Sequence, residues 1–304
     1  MTNTQFLGAM GLAFALFATT LVSASENAEK DNEPKTLFTN VHVFDGQNEK
    51  RLMNANVLIE GNLIKTVSIT PIDADGAMVI DGDGRTLMPG LIDNHVHLML
   101  PGPTLPAMEA NSTWEDIAIH GVAQSEMYLM QGFTTVRDAG GANAGLQRAI
   151  NAGKLIGPRI YPSGAFIGGR GGHSDFANYT APLGAESNFS RLNMAHDADG
   201  VDDVIKIARN NFRMGASQLK VMQSGGVVSA FDPWQMEGRT VPEIEAAVEI
   251  ANQYGSYVMA HSYKKESILR ALNSGVKSIE HGFMYDCEIG ELMNAKGAYI
   301  TTNL

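Results

Sequence analysis

Cysteine is nearly absent. With Cys287 alone among 304 residues, no disulfide can close within the chain and no cysteine-based zinc motif exists. Any metal must rely on histidine, carboxylate or a less usual donor. Clusters of lysine and arginine are also missing, and the formal net charge is -11 with a pI near 5.1. This argues against nucleic acid or an anionic membrane surface as partner and leaves a small molecule as the default. Long apolar runs are scarce. The one that stands out, Phe6 to Val22, leads into Ser23-Ala24-Ser25 and then a polar stretch to Lys35. Residues 1–24 read as a secretory signal cleaved near Ala24, and 25–35 as a linker. The first residues carry no Lys or Arg, which keeps a retained membrane anchor as the alternative. Export to a bacterial periplasm is the expectation, with no stable membrane association after cleavage.

What is present is ordinary globular material, 44% hydrophobic and 18% charged, enough for one large domain and a smaller satellite. From Thr36 to Asp81 short strands alternate with turns, Gly61-Asn62 has the form of a two-residue hairpin turn, and no helix of useful length fits. Beyond His97 apolar strands alternate with helices. A helix starting near Thr113 precedes strand Phe133 to Ala139, and a helix over Ala142 to Ala152 precedes a strand RIYPSGAFI. A helix over Val201 to Arg213 turns Val201, Val204, Ile205, Ala208 and Phe212 to one side. Strand SQLKVMQS follows. Thr240 and Glu243 then form a capping box with Pro242 in the first turn, opening a helix with Ile244, Ala247, Val248 and Ala251 inward. The chain closes with strand SYVMAHS, helix Glu266 to Asn273, strand KSIEHGF, helix Cys287 to Ala295 and strand AYITTNL. This rhythm predicts a parallel sheet, more often a (β/α)8 barrel than an open sheet, with seven strands counted and Leu304 ending on the seventh.

Active sites of such barrels lie at the C-terminal ends of the strands. There stand His95 and His97, Lys220, His261 and His281. In an extended strand His95 and His97 point to one side, about 7 Å apart, as two ligands of one ion require. A lone histidine at a strand end is usually hydrogen-bonded packing. Lys220, inside the apolar run QLKVM, is harder to dismiss, because a buried ammonium without a partner costs several kcal/mol. Jointly these residues predict a metal site.

The segments TLMPGLIDNHVH, GFTTVRDAGG, GGRGGHSDF, LKVMQSGG, VMAHSY and SIEHGF, in that order, resemble the amidohydrolase superfamily in its Xaa-Pro dipeptidase and imidazolonepropionase-like branch. The resemblance covers roughly residues 36 to 304. It implies a metal-dependent hydrolase of α/β class: a (β/α)8 TIM barrel over 86–304, C-terminally truncated after strand seven, with a small N-terminal β-sandwich part at 36–85. It further implies two divalent ions, commonly zinc, with His95 and His97 on the more buried one, His261 and His281 on the other, and Lys220 carboxylated by CO2 as the bridge. A hydroxide between the ions is then the nucleophile. The family's aspartate at the end of strand eight lies past Leu304, so the expectation for the 304-residue chain alone is inactivity and poor stability.

Two binding residues follow from the same branch. His173, in a long aperiodic loop from Gly168 to Gly200, resembles the histidine that contacts the tetrahedral intermediate. Tyr263 resembles the tyrosine that binds the substrate α-carboxylate. Arg137 and Asp138 read as a structural ion pair, and Asp93 as a supporting or turn residue. The expected activity is hydrolysis of a peptide-like C–N bond in a dipeptide or other small molecule, by a dipeptidase or carboxypeptidase, in a chain that could form a homo-oligomer. Imidazolonepropionase-like or other cyclic-amide chemistry is the runner-up. A non-catalytic metal-binding relic is the reading of another class.

Overall fold

The computed structural model describes residues 33–100, 105–142, 144–229 and 231–302. The expected signal segment lies outside them. The chain divides into two compact units between Pro89 and Gly90.

In the first unit strand β1 (Lys35–Val43) pairs antiparallel with β2 (Leu52–Glu60), which pairs antiparallel with β3 (Leu63–Ser68). Gly61 takes φ 59° in the turn between β2 and β3, a conformation open to glycine. Strands β4 (Met78–Asp81) and β5 (Thr86–Leu87) both lie parallel to β1. All five strands therefore share one sheet, because β1 is paired along both of its edges. Only part of the sheet is covered: Ala55 and Val57 are buried, whereas Leu63, Ile64, Met78 and Val79 are exposed.

The second unit is an α/β fold in which the nine strands among the described residues are all parallel to their neighbours, consistent with a TIM-barrel-like domain. One sheet has the order β6 (Leu91–Val96), β7 (Phe133–Asp138), β8 (Arg159–Tyr161). The other has the order β10 (Ala195–Asp197), β9 (Phe166–Gly168), β11 (Leu219–Met222), β12 (Val258–Ser262), β13 (Ser278–His281), β14 (Tyr299–Thr301). The helices among the described residues are α1 (Leu105–Asn111), α2 (Trp114–Met130), α3 (Ala144–Asn151), α4 (Asn188–Arg191), α5 (Val201–Arg213), α6 (Val241–Gln253), α7 (Lys265–Asn273) and α8 (Cys287–Lys296).

Two sequence expectations are corrected. RIYPSGAFI is two strands in different sheets, since Pro162 has no N–H for a ladder and Gly164 turns the chain at φ 73°. The segment from Gly168 to Gly200 is not without structure: it contains α4 and β10, the latter paired with β9. The capping box at the start of α6 is present, with Thr240 and Glu243 bonded reciprocally. The inner faces of α5, α6 and α7 bury Val204, Ile244, Ile250 and Ile268 against Leu219, Val221 and Ile279 of the sheet. A second cluster packs Ile117 and Leu146 against Val96, Val136 and Ile160. These apolar layers hold the strand ends in place from the outside and leave the inner positions to polar side chains.

Candidate metal centre

The polar residues that the alternating strand pattern singles out meet in one place. His95 and His97 lie on the same side of their strand, with ring centroids 5.2 Å apart. His95 is 4.8 Å from His281, His281 is 4.7 Å from His261, and His261 stacks on His173 at 4.0 Å and 19°. Tyr263 closes the group, 4.6 Å from His261 and 5.3 Å from His281. Five imidazoles thus form an unbroken series of ring contacts across β6, β12, β13 and the loop after β9. The rings meet edge to face, tilted or stacked, and among the described residues no three His, Cys, Asp or Glu side chains converge as a ready-made cage.

Lys220 stands beside them, 1% exposed, and its charge acts on His95, His97, His261 and His281. Among the described residues no carboxylate lies within salt-bridge distance of its ammonium. Burial lowers its pKa to about 8, with Glu280 pulling the other way and Arg137 adding to the fall. Burial, then the Lys220 charge and Arg137, takes His95 down to about 2. Burial, the His95 charge and Lys220 bring His97 to about 3. His281 also falls to about 3, through burial, Lys220 and His95. His261 is lowered well below the ordinary range, first by burial and then by His173 and Lys220. The imidazoles are therefore neutral, with lone pairs to offer.

Protein acceptors already engage one nitrogen on three of these rings. Glu280 Oε2 lies 2.6 Å from His95 Nδ1, the Gly140 carbonyl 3.1 Å from His97 Nδ1, and the Gly225 carbonyl 3.1 Å from His261 Nε2. Such contacts leave the opposite nitrogen of each ring as the ligating atom and fix its direction. Neutral, oriented imidazoles are donors that fit a divalent transition-metal ion. His281 takes φ 72°, a left-handed conformation that costs a histidine roughly 1–2 kcal/mol.

Several of the supporting residues are ones that sequence reasoning misses or misreads. Arg137 and Asp138 do not pair, because neighbours on a strand face opposite sides. Asp138 instead accepts the backbone N–H groups of Leu98, Gly140 and Ala142, and burial raises its pKa to about 7. Arg137 donates to the Asn94 carbonyl, to Ser278, to Glu280 Oε1 at 2.8 Å and to Thr301, linking β6, β7, β13 and β14. Glu280, fully buried, joins Arg137 to His95 and also accepts from Ser278. Asp93 accepts the His95 backbone N–H at 2.9 Å, the local turn contact expected of it. Asp232 was not anticipated. Its carboxylate lies 2.9 Å from His173 Nδ1. Burial works against its charge, yet hydrogen bonds from His173, Ser229 and the Gly226 N–H leave its pKa lowered.

Glu280→Ala is expected to cost about 3 kcal/mol of stability, since it leaves the half-buried Arg137 guanidinium without its carboxylate and the buried His95 Nδ1 without its acceptor. Urea unfolding of the metal-free variant measures this, and a loss below about 1 kcal/mol would contradict the role given to the pair.

The sequence profile of the amidohydrolase family matches residues 86–303. Ochratoxinase from Aspergillus niger is 32% identical over 241 residues, covering 71% of this chain and 47% of that enzyme. The chain thus spans about half the length of this relative. Among solved structures, a prolidase complexed with N-methylphosphonate-L-proline is 36% identical with a TM-score of 0.83, covering 88% of this chain and 66% of the other. A Xaa-Pro dipeptidase with methionine bound in its active site is 32% identical with a TM-score of 0.77, over 88% of this chain and 66% of that one.

Proposed function

Because this chain belongs to the amidohydrolase family, we propose that it hydrolyses the peptide-like C–N bond that joins an acyl group to a C-terminal amino acid, as a dipeptidase or carboxypeptidase. The observation that carries this is the meeting of four neutral imidazoles and the buried amine of Lys220 at one set of strand ends. Prolidase, Xaa-Pro dipeptidase and ochratoxinase among its relatives support it. His95 and His97 would hold one divalent ion, and His261 and His281 a second, zinc being the first choice by donor chemistry. The Lys220 amine, partly neutral near pH 8, adds CO2 with loss of a proton. The carbamate so formed would replace a buried cation that makes no salt bridge with an anionic oxygen donor. When bound, the ions supply Lewis acidity toward the scissile carbonyl and make water a better nucleophile.

The remaining work falls to this chain's side chains. Tyr263 is 8% exposed, with burial raising its pKa, so the phenol keeps its proton and can donate to a substrate carboxylate. His173 is placed against His261, where it can meet the charge developing on the carbonyl oxygen. The exposed ring of Phe283, 5.2 Å from Tyr263, offers an apolar wall for the substrate side chain. The apolar run Phe6 to Val22 supports export before the enzyme meets its substrate. Among the described residues no helix is long and apolar enough to cross a membrane.

The test is a panel of dipeptides, N-acyl amino acids and cyclic amides assayed with the zinc-loaded full-length gene product. Turnover of dipeptides or N-acyl amino acids, abolished by a chelator and restored by zinc, is the expected result. Turnover of cyclic amides alone would replace this reading with lactam hydrolysis. Zinc binding at two equivalents with no turnover of any class would favour a non-catalytic metal protein.

A further inference from the structure

The loop that follows β11 returns to the site it leaves. Its neck is closed by the Gly225 N–H donating to the Met236 carbonyl at 3.0 Å and the Gly238 N–H to Gln223 at 2.8 Å. A bridge between Ser224 and Glu237 adds to the closure. Inside the loop the Gly226 N–H donates to Asp232 Oδ2 at 2.7 Å. The same carboxylate oxygen faces His173 Nδ1 at 2.9 Å, and Ser229 Oγ lies 2.7 Å from that nitrogen. Asp232 is only 4% exposed.

We infer that Asp232 is the positioning residue for His173: it holds the Nδ1–H tautomer and turns Nε2 toward the substrate. The inference rests on the proposed role of His173 in hydrolysis. A carboxylate can only accept, so the ring nitrogen facing it must carry the proton. Among the described residues Nε2 has no protein partner. The ring is also clamped. His261 stacks on one side, and a Cβ added to Gly226 would stand 1.8 Å from His173 Cε1, so only glycine leaves room for the imidazole. The stack and Gly226 set the plane, while Asp232 sets which nitrogen faces outward. A half-turn of the ring would put carbon against a buried carboxylate, and the lost hydrogen bond disfavours that orientation by roughly tenfold to a hundredfold.

Asp232→Asn keeps the shape of the side chain but can donate as well as accept, which releases the tautomer. Nitrogen-15 NMR of the histidine-labelled full chain, with His173 assigned through His173→Gln, is expected to show Nδ1–H in the parent and a mixed or Nε2–H form in Asp232→Asn. In the zinc-loaded protein the same variant is expected to lower kcat by about 10- to 100-fold with KM and metal content near the parent values. Gly226→Ala, which displaces the ring and leaves Asp232 in place, is expected to lower kcat likewise. An unchanged His173 tautomer in Asp232→Asn overturns the inference whether or not the parent turns over any substrate. So does an Asp232→Asn enzyme with the parent kcat. A parent with the expected tautomer but no turnover of the panel overturns the proposed hydrolysis and leaves the positioning of His173 standing.

Discussion

Lys220→Met is expected to lower kcat/KM of the zinc-loaded protein by on the order of 10³-fold, the several kcal/mol that metal-assisted charge stabilisation supplies, while its metal-free form becomes no less stable. The two effects have opposite signs because one group is responsible for both. Lys220 sits between Leu219 and Val221 on a strand that is buried along its whole length, and its amine forms no salt bridge among the described residues, Glu280 and Asp138 acting on it only from a distance. For the apo fold it is a liability, and a methionine of similar length replaces it with apolar contact, adding up to about 3 kcal/mol. For the proposed centre its carbamate would be the bridging anion. Metal analysis and thermal unfolding of the same preparations decide the matter. A variant that loses stability and keeps both zinc equivalents would remove Lys220 from the site.

Acid is expected to unfold the metal-free protein steeply below pH 6.5. His95, His97, His281 and His261 all have pKa values lowered in the fold, to about 2, about 3, about 3 and well below normal respectively. Below pH 6.5 the unfolded chain takes up protons at these four positions and the folded chain does not, so stability falls as pH falls. Two buried carboxylates act in the other direction. Asp138, raised to about 7, and Asp197, raised to about 6, both mainly by burial, bind protons in the fold before they do so in the unfolded chain. Glu109, also raised by burial, joins these carboxylates, while His120 and His196, also lowered by burial, join the imidazoles, so the balance is roughly two to three protons favouring the unfolded state, a slope of about 3–4 kcal/mol per pH unit. Against a usual total of about 5–15 kcal/mol, two to three pH units suffice to unfold most such domains. Urea midpoints between pH 7 and pH 4 measure the slope, and a flat profile would mean that the imidazoles are not held neutral.

Much of this was legible in the sequence for reasons that can be named. His95 and His97 share a side because the strand period is two, and Thr240 with Glu243 announces a helix start because both signals lie within one turn. Lys220 stood out because an apolar strand has no other use for an ammonium. The strand count was harder. RIYPSGAFI reads as one apolar segment, and only its pairing shows that Pro162 to Gly164 divides it between two sheets. The short β10 was hidden because three residues carry too little pattern to be seen without their partner strand. Glu280 and Asp232 were illegible for a different reason. Their partners lie 185 and 59 residues away in sequence, and nothing local distinguishes a carboxylate that orients an imidazole from one on the surface.

The left-handed backbone of His281 sets two selections against each other. Glycine or asparagine takes φ 72° with less strain than histidine does. A library of variants screened for heat resistance alone would therefore drift toward those residues at position 281. A population kept under demand for turnover would hold the histidine and tolerate a weaker end to β13. Codon usage at this one position in an evolved pool would report which pressure the pool had lived under, before any enzyme from it was assayed.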